Sequence, residues 1–89
     1  MEYSMELIFY KSANMNDMFE HIYNICEKTG CVIMENKDNR IVYGADDYEK
    51  FGPAFVHLSF DDKIKKNLIE AIWDDEDEGP HSCKKNLFR

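Results

Sequence analysis

Hydrophobic positions near the start of the chain alternate, and from residue 15 they recur at helical spacing. Residues 5–10 predict a first strand, one face of which collects Met5, Leu7 and Phe9. The stripe that follows has offsets of three and four residues: Met15, Met18, Phe19, Ile22, Ile25 and Cys26. Asn14 before this stripe and Gly30 after it are typical N-cap and C-cap residues, so the pattern predicts an amphipathic helix.

The remaining pattern predicts a hairpin, a further strand and a second helix. Residues 31–44 read as two strands joined by turn residues at 36–39, and residues 46–53 read as a loop ending in a Gly-Pro stop. Residues 54–60 alternate like a strand, and a second helical stripe follows: Ile64, Leu68, Ala71 and Ile72. We therefore predict an α+β fold in β-α-β-β-β-α order, with about four strands in an antiparallel or mixed sheet and two helices on one face.

The length of 89 residues suits one domain, and the charge divides it into two parts. Residues 1–78 hold all eighteen acidic residues and eight of the basic ones, for a net charge of −10. The charged residues within 79–89 are all basic: Lys84, Lys85 and Arg89. We predict a globular domain over 1–78 and a basic tail over 79–89, either frayed or forming a short strand over residues 85–88.

The overall net charge of −7 excludes some classes of partner. Nucleic acid and anionic membrane surfaces both require a positively charged protein surface, so neither is an expected partner. The chain starts with acidic rather than basic residues, unlike a signal peptide, and its three cysteines form no disulfide framework. We expect a cytoplasmic protein with free thiols.

Two acidic runs that contain aromatic residues are the most informative feature. Five acids follow Trp73, at what the pattern predicts to be the end of a helix, where negative charge is unfavourable. The predicted partner-binding residues are Asp46, Asp47, Tyr48, Glu49, Trp73, Asp74, Asp75, Glu76, Asp77 and Glu78. Two plainer interpretations stay open: the acids only keep the protein soluble, and Trp73 belongs to the core.

The expected function is that of a small acidic, stoichiometric inhibitor, similar in kind to bacterial immunity proteins and phage-encoded inhibitors. Its expected partner is a basic protein, a nuclease or another nucleic-acid-handling protein, whose positive groove the carboxylates would block. The alternative is a structural or regulatory domain that forms a homodimer or joins a complex through an exposed apolar sheet face. That face would hold Ile8, Tyr10, Ile33 and Phe55.

Metal binding and catalysis find little support in the sequence. Four potential zinc ligands are Cys26, Cys31, His81 and Cys83, but their spacing matches no common zinc motif. His57 and Ser59 would share a strand face at a separation too large for a hydrogen bond, and no phosphate-binding loop or nucleophile motif is present. We expect no cofactor, no bound metal and no enzymatic activity.

Overall fold

A single antiparallel sheet with three helices makes up the part of the chain that the computed structural model describes, residues 1–77 and 79–82. The elements are β1 (Tyr3–Phe9), α1 (Met15–Thr29), β2 (Val32–Lys37), β3 (Arg40–Ala45), α2 (Tyr48–Ser59), α3 (Asp62–Asn67), β4 (Leu68–Asp75) and β5 (Gly79–Ser82). The strand order across the sheet is β2-β3-β1-β4-β5. The predicted α+β class is confirmed, with one strand and one helix more than expected.

The core lies between one face of the sheet and the helices. The alternation predicted for the first strand is confirmed, because Met5, Leu7 and Phe9 are all buried. Neighbouring strands and the helices supply the rest of the fully buried side chains: Met18, Ile22, Ile41, Tyr43, Ala54, Leu58, Ile64, Leu68 and Ala71. Each large aliphatic side chain buried in this way contributes roughly 1.5–3 kcal/mol.

Helix α1 forms where the sequence predicts it, and both caps behave as expected. The Asn14 side-chain oxygen accepts a hydrogen bond from the backbone N–H of Asp17 at 3.2 Å. At the other end Gly30 adopts a left-handed φ of 83° and donates its backbone N–H to the carbonyl of Cys26 at 2.8 Å. The local sequence thus determines both the start and the end of this helix.

The predicted hairpin is also confirmed, as the pair β2 and β3. Its turn consists of Asp38 and Asn39, with φ values of 56° and 59°. Two consecutive left-handed residues are the mark of a type I′ turn, whose twist matches that of the flanking strands. Asp and Asn tolerate this conformation better than other residues with a side chain, so the turn chemistry and the register agree.

The strand predicted over residues 54–60 is wrong, because most of that segment belongs to helix α2. Ala54 and Leu58, four residues apart, are fully buried, whereas Val56 and Phe60 are 53% and 80% exposed. The predicted Gly-Pro stop lies inside the same helix at Gly52 and Pro53. A residue before proline normally avoids helical geometry because its backbone N–H and its Cβ both clash with the proline ring, and Gly52 has no Cβ, so the second of these clashes is absent.

The long second helix is wrong as well, because helix α3 ends at Asn67 and the chain continues as strand β4. Leu68 pairs with Phe9, but Glu70 pairs with Ile8, so one extra residue bulges out of the ladder. The bulge lets Leu68 and Ala71 point into the core although they are three residues apart. It therefore produces a helix-like spacing in a strand, and the predicted conflict with a helix dipole does not arise.

Strand β5 begins one residue after the predicted domain boundary at residue 78. Strand β5 pairs with β4 from Asp75–Gly79 to Ile72–Ser82, so the sheet extends past residue 78. Residues 83–89, with the strand predicted at 85–88, lie outside the described residues. None of the helices in the described ranges combines the length and the apolar character needed to cross a membrane.

Of the residues predicted for an apolar sheet face, Ile8 lies there, whereas Tyr10 follows the end of β1 and the other two lie elsewhere. Ile33 and Phe55 both pack against the core, and Phe55 lies in α2. The register places Ile8, Val42 and Ile72 on the face opposite the helices, which we call the open face. Charged residues lie among them: the Arg40 guanidinium donates hydrogen bonds to the carboxylates of Glu6 and Glu35.

Candidate binding site at the acidic end of the sheet

The two acidic runs meet at one end of the sheet. Strands β3 and β4 lie on either side of β1, and their last residues, Ala45 and Asp75, both pair with Tyr3 at the start of β1. Residues 46–49 and 76–77 therefore leave the sheet at the same end, on either side of the start of β1, although they are far apart in sequence. The strand order alone produces this juxtaposition.

Backbone hydrogen bonds tie the two runs to the residue between them. The N–H of Glu2 donates to Oδ1 of Asp46 at 3.2 Å, and the N–H of Glu76 donates to the carbonyl oxygen of Glu2 at 3.1 Å. Both runs are thus held to the same short segment. We call the carboxylates gathered there the acidic end: Glu2, Asp46, Asp47, Glu49, Asp75, Glu76 and Asp77.

Two carboxylates of the acidic end also shape the local backbone. Oδ1 of Asp47 accepts a hydrogen bond from the N–H of Glu49 at 3.0 Å and caps helix α2. Oδ1 of Asp75 accepts one from the N–H of Asp77 at 2.9 Å and closes the turn after β4. Carboxylates are favourable at a helix N-terminus, so part of this negative charge assists the fold.

Strand alternation divides the acidic run that follows Trp73. Asp75 pairs with Tyr3 and lies on the helix side of the sheet, whereas Asp74 pairs with Ser4 and lies on the open face. Glu76 and Asp77 form the exposed turn. Of the predicted binding residues in this run, Glu78 lies outside the described residues, and Asp74 does not share a face with Asp75.

The Tyr3 phenol reports the negative potential of the acidic end. Its pKa is raised, first by partial burial and then by the carboxylates of Glu2, Asp75, Asp77 and Asp47 in that order. Ionising the phenol would add a further negative charge among these groups. Carboxylates from both predicted acidic runs therefore raise the pKa of the same phenol.

An aromatic groove lies next to the acidic end, between helix α2 and strand β4. It encloses about 240 Å³ and is lined by Tyr48, Phe51, Gly52, Phe55, Val56 and Trp73. Tyr3 connects it to the acidic end, because its ring contacts that of Tyr48 edge-on at 5.7 Å and stacks on Phe51 at 5.6 Å between centroids. Trp73 is half-buried and packs against the core while its side chain also lines the groove.

Several residues of this site are not among those predicted from the sequence. Glu2 and Tyr3 could not be assigned to it without the strand order. The aromatic residues of the groove do carry a signal, because Tyr48, Phe51, Phe55 and Leu58 recur at helical spacing. That spacing identifies helix α2 and places three of the rings near one another.

Two of the four potential zinc ligands, Cys26 and Cys31, have side chains that the structure describes. Cys26 and Cys31 are free and buried, and burial raises the pKa of the Cys26 thiol to about 12. A thiol in this state is a poor nucleophile and a poor metal ligand. Within the described residues no group of three or more His, Cys, Asp or Glu could hold a metal. Cys83 and the side chain of His81 lie outside them.

His21 and His57 both lie in helices, and His21 in α1 contacts Asp61, the residue that caps α3. Nδ1 of His21 is 2.7 Å from Oδ2 of Asp61, while Oδ1 of Asp61 accepts a hydrogen bond from the N–H of Ile64 and caps α3. His57 and Ser59 lie in α2 and not on a strand, and the Ser59 hydroxyl donates to the Val56 carbonyl at 2.7 Å.

Comparisons with protein-family models, with curated proteins and with solved structures found no significant match.

Proposed function

We propose that this chain is a non-enzymatic binding protein whose acidic end docks onto a basic protein. The observation that supports this most is the meeting of two separate acidic runs around Tyr3. Dispersed carboxylates would serve solubility equally well, and gathering them at one end produces the mutual repulsion that a cationic partner relieves.

The partner class follows from the same charge pattern. Proteins that handle nucleic acid carry positive grooves, because they must displace the counterions of the phosphate backbone. A surface of closely spaced carboxylates can occupy such a groove in place of phosphates. We therefore propose stoichiometric inhibition of a nuclease or a related protein, in the manner of an immunity protein. The free thiols of Cys26 and Cys31 suit a cytoplasmic site of action.

Binding would combine electrostatic attraction with an aromatic anchor. Charge complementarity accelerates encounter and weakens with salt, whereas most of the affinity comes from a few desolvated side chains. The aromatic groove beside the acidic end provides Tyr48 and Trp73, two residue types that are enriched at such positions.

The test uses two variants with equal change in net charge. The triple-amide variant carries Asp75→Asn, Glu76→Gln and Asp77→Asn. The distant-amide variant changes three exposed acids toward the opposite end of the sheet: Glu20→Gln, Asp38→Asn and Asp62→Asn. Each protein is immobilised and exposed to the cytosol of its own source cells at about 50 mM and about 500 mM salt.

We expect the wild type and the distant-amide variant to retain the same basic protein at low salt, and the triple-amide variant to lose it. The purified partner should then lose its activity at a one-to-one ratio with the wild type. Equal retention by the triple-amide variant, or a partner whose activity is unchanged in the complex, would show that the proposal is wrong.

A second candidate function is self-association through the open face. It is favoured by the apolar side chains of Ile8, Val42 and Ile72 there. A dimer of this kind would be insensitive to salt and to the triple-amide changes, and Val42→Lys would dissociate it. Light scattering on the wild type, the triple-amide variant and Val42→Lys measures their molar masses and so distinguishes this function from the first.

A further inference from the structure

The aromatic groove has the shape and composition of a receptor for one side chain. Helix α2 provides Tyr48, Phe51, Gly52, Phe55 and Val56, strand β4 provides Trp73, and the enclosed volume is about 240 Å³. Tyr48 is 66% exposed and Val56 is 53% exposed, so these two side chains form an accessible rim. Phe51 is buried and forms the floor.

Two carboxylates of the acidic end lie close in sequence to residues that line the groove. Asp47 directly precedes Tyr48 in the chain, and Asp75 follows Trp73 by two residues on the same face of β4. Both carboxylates contribute to the raised pKa of Tyr3, whose ring touches Tyr48. The negative potential of these carboxylates attracts a cationic occupant of the groove and does not attract an apolar one.

Aromatic faces and nearby carboxylates favour the same kind of occupant. A cation over an aromatic ring is attracted by the ring's quadrupole, and arginine uses this contact more than lysine. The guanidinium is planar and weakly hydrated, so it stacks on rings while its methylene stem lies against apolar surface. Lysine carries a compact, strongly hydrated charge that gains less in such a groove.

We propose that the aromatic groove binds an arginine side chain of the basic partner, with the guanidinium among the rings and facing the carboxylates of Asp47 and Asp75. This inference rests on the proposed function, since it assigns the anchor residue of the same basic partner. It adds a specificity for arginine that the charge of the acidic end alone would not produce.

The groove contains its own reporter, because Trp73 is the one tryptophan of the chain. The probes are short peptides of the form acetyl-Gly-Lys-Xaa-Lys-Gly-amide, in which Xaa is arginine, lysine or citrulline. Citrulline keeps the planar shape of arginine but has no charge. We expect the arginine peptide to change the fluorescence of Trp73 and to bind about 2- to 30-fold more tightly than the citrulline peptide.

A pair of variants at Val56 tests the location. Val56→Lys places a positive charge at the rim, and Val56→Gln is its neutral control. Val56 is exposed and both substitutes have higher helix propensity than valine, so both variants should fold. We expect Val56→Lys to lose the preference for arginine over citrulline and Val56→Gln to keep it.

The outcomes separate this inference from the proposed function. The inference is wrong if arginine and citrulline peptides bind equally, if lysine matches arginine, or if Val56→Lys keeps the arginine preference. In that case the proposed function still holds if the triple-amide variant loses the partner. Conversely, if the partner is retained by the triple-amide variant while the arginine peptide still changes the Trp73 fluorescence, the groove assignment stands and the proposed function fails. If no peptide binds at millimolar concentration, the groove assignment is wrong.

Discussion

Gathering carboxylates at one end of the sheet should destabilise the protein at low salt, and the structure indicates by how much. The residues after β3 and those after β4 are separated by two strand spacings, which is about 10 Å. Two unit charges at that distance in water repel by about 0.4 kcal/mol before screening. At 10 mM salt the Debye length is about 30 Å and most of this repulsion persists, whereas at 100 mM it is about 10 Å and roughly a third remains.

The effect becomes measurable when the pairs are added. Asp46, Asp47 and Glu49 lie on one side, and the three residues of the triple-amide variant lie on the other. Summed over the nine pairs between the two sides, the repulsion is about 2.7 kcal/mol at 10 mM salt and about 1.4 kcal/mol at 100 mM. We therefore expect salt to stabilise the wild type by about 1 kcal/mol over this range, which corresponds to a rise in Tm of roughly 4–8 °C.

Thermal and urea unfolding followed by circular dichroism, at 10 mM and 100 mM NaCl, provide the measurement. The triple-amide variant should be more stable than the wild type at 10 mM salt and should respond much less to added salt. The distant-amide variant has the same net charge and should respond nearly as the wild type does. If the two variants respond alike, the salt effect reflects net charge alone and the convergence of the two runs is refuted.

Three further predictions concern the rest of the fold. Asp61→Ala removes both the α3 cap and the contact with His21, so it should lower the free energy of unfolding in urea by about 1–3 kcal/mol. Asp61→Ser can still cap α3 and should therefore lose less stability than Asp61→Ala. Equal losses in the two variants would mean that capping contributes nothing. Gly44→Ala should destabilise by more than about 2 kcal/mol, because its Cβ would lie 2.5 Å from the carbonyl oxygen of Tyr3, and a wild-type-like Tm would contradict that packing. Burial raises the pKa of the Cys26 thiol from 9.0 to about 12, so its stabilising contribution is complete below pH 9 and is lost as the pH rises toward 12. The destabilisation caused by Cys26→Ala should therefore shrink between pH 8 and pH 10.5, and a constant difference would show that the thiol titrates normally.

The sequence predicted well the elements whose limits depend on neighbouring residues. Asn14 and Gly30 cap α1 by local hydrogen bonds, and the left-handed turn at residues 38–39 sets the hairpin. It failed where spacing was ambiguous. A glycine before Pro53 allowed a helix to continue through an apparent stop, and the bulge in β4 imitated a helical stripe.

By itself the sequence determined the negative charge, the two acidic runs and the aromatic residues within them. Only the tertiary structure decided that the runs meet, because that depends on β1 lying between β3 and β4, a pairing of segments about 40 and 70 residues apart. The same pairing placed Asp74 and Asp75 on opposite faces and brought Trp73 against α2. Local patterns encode caps and turns, whereas the neighbours of a strand are selected by the burial of a whole sheet face.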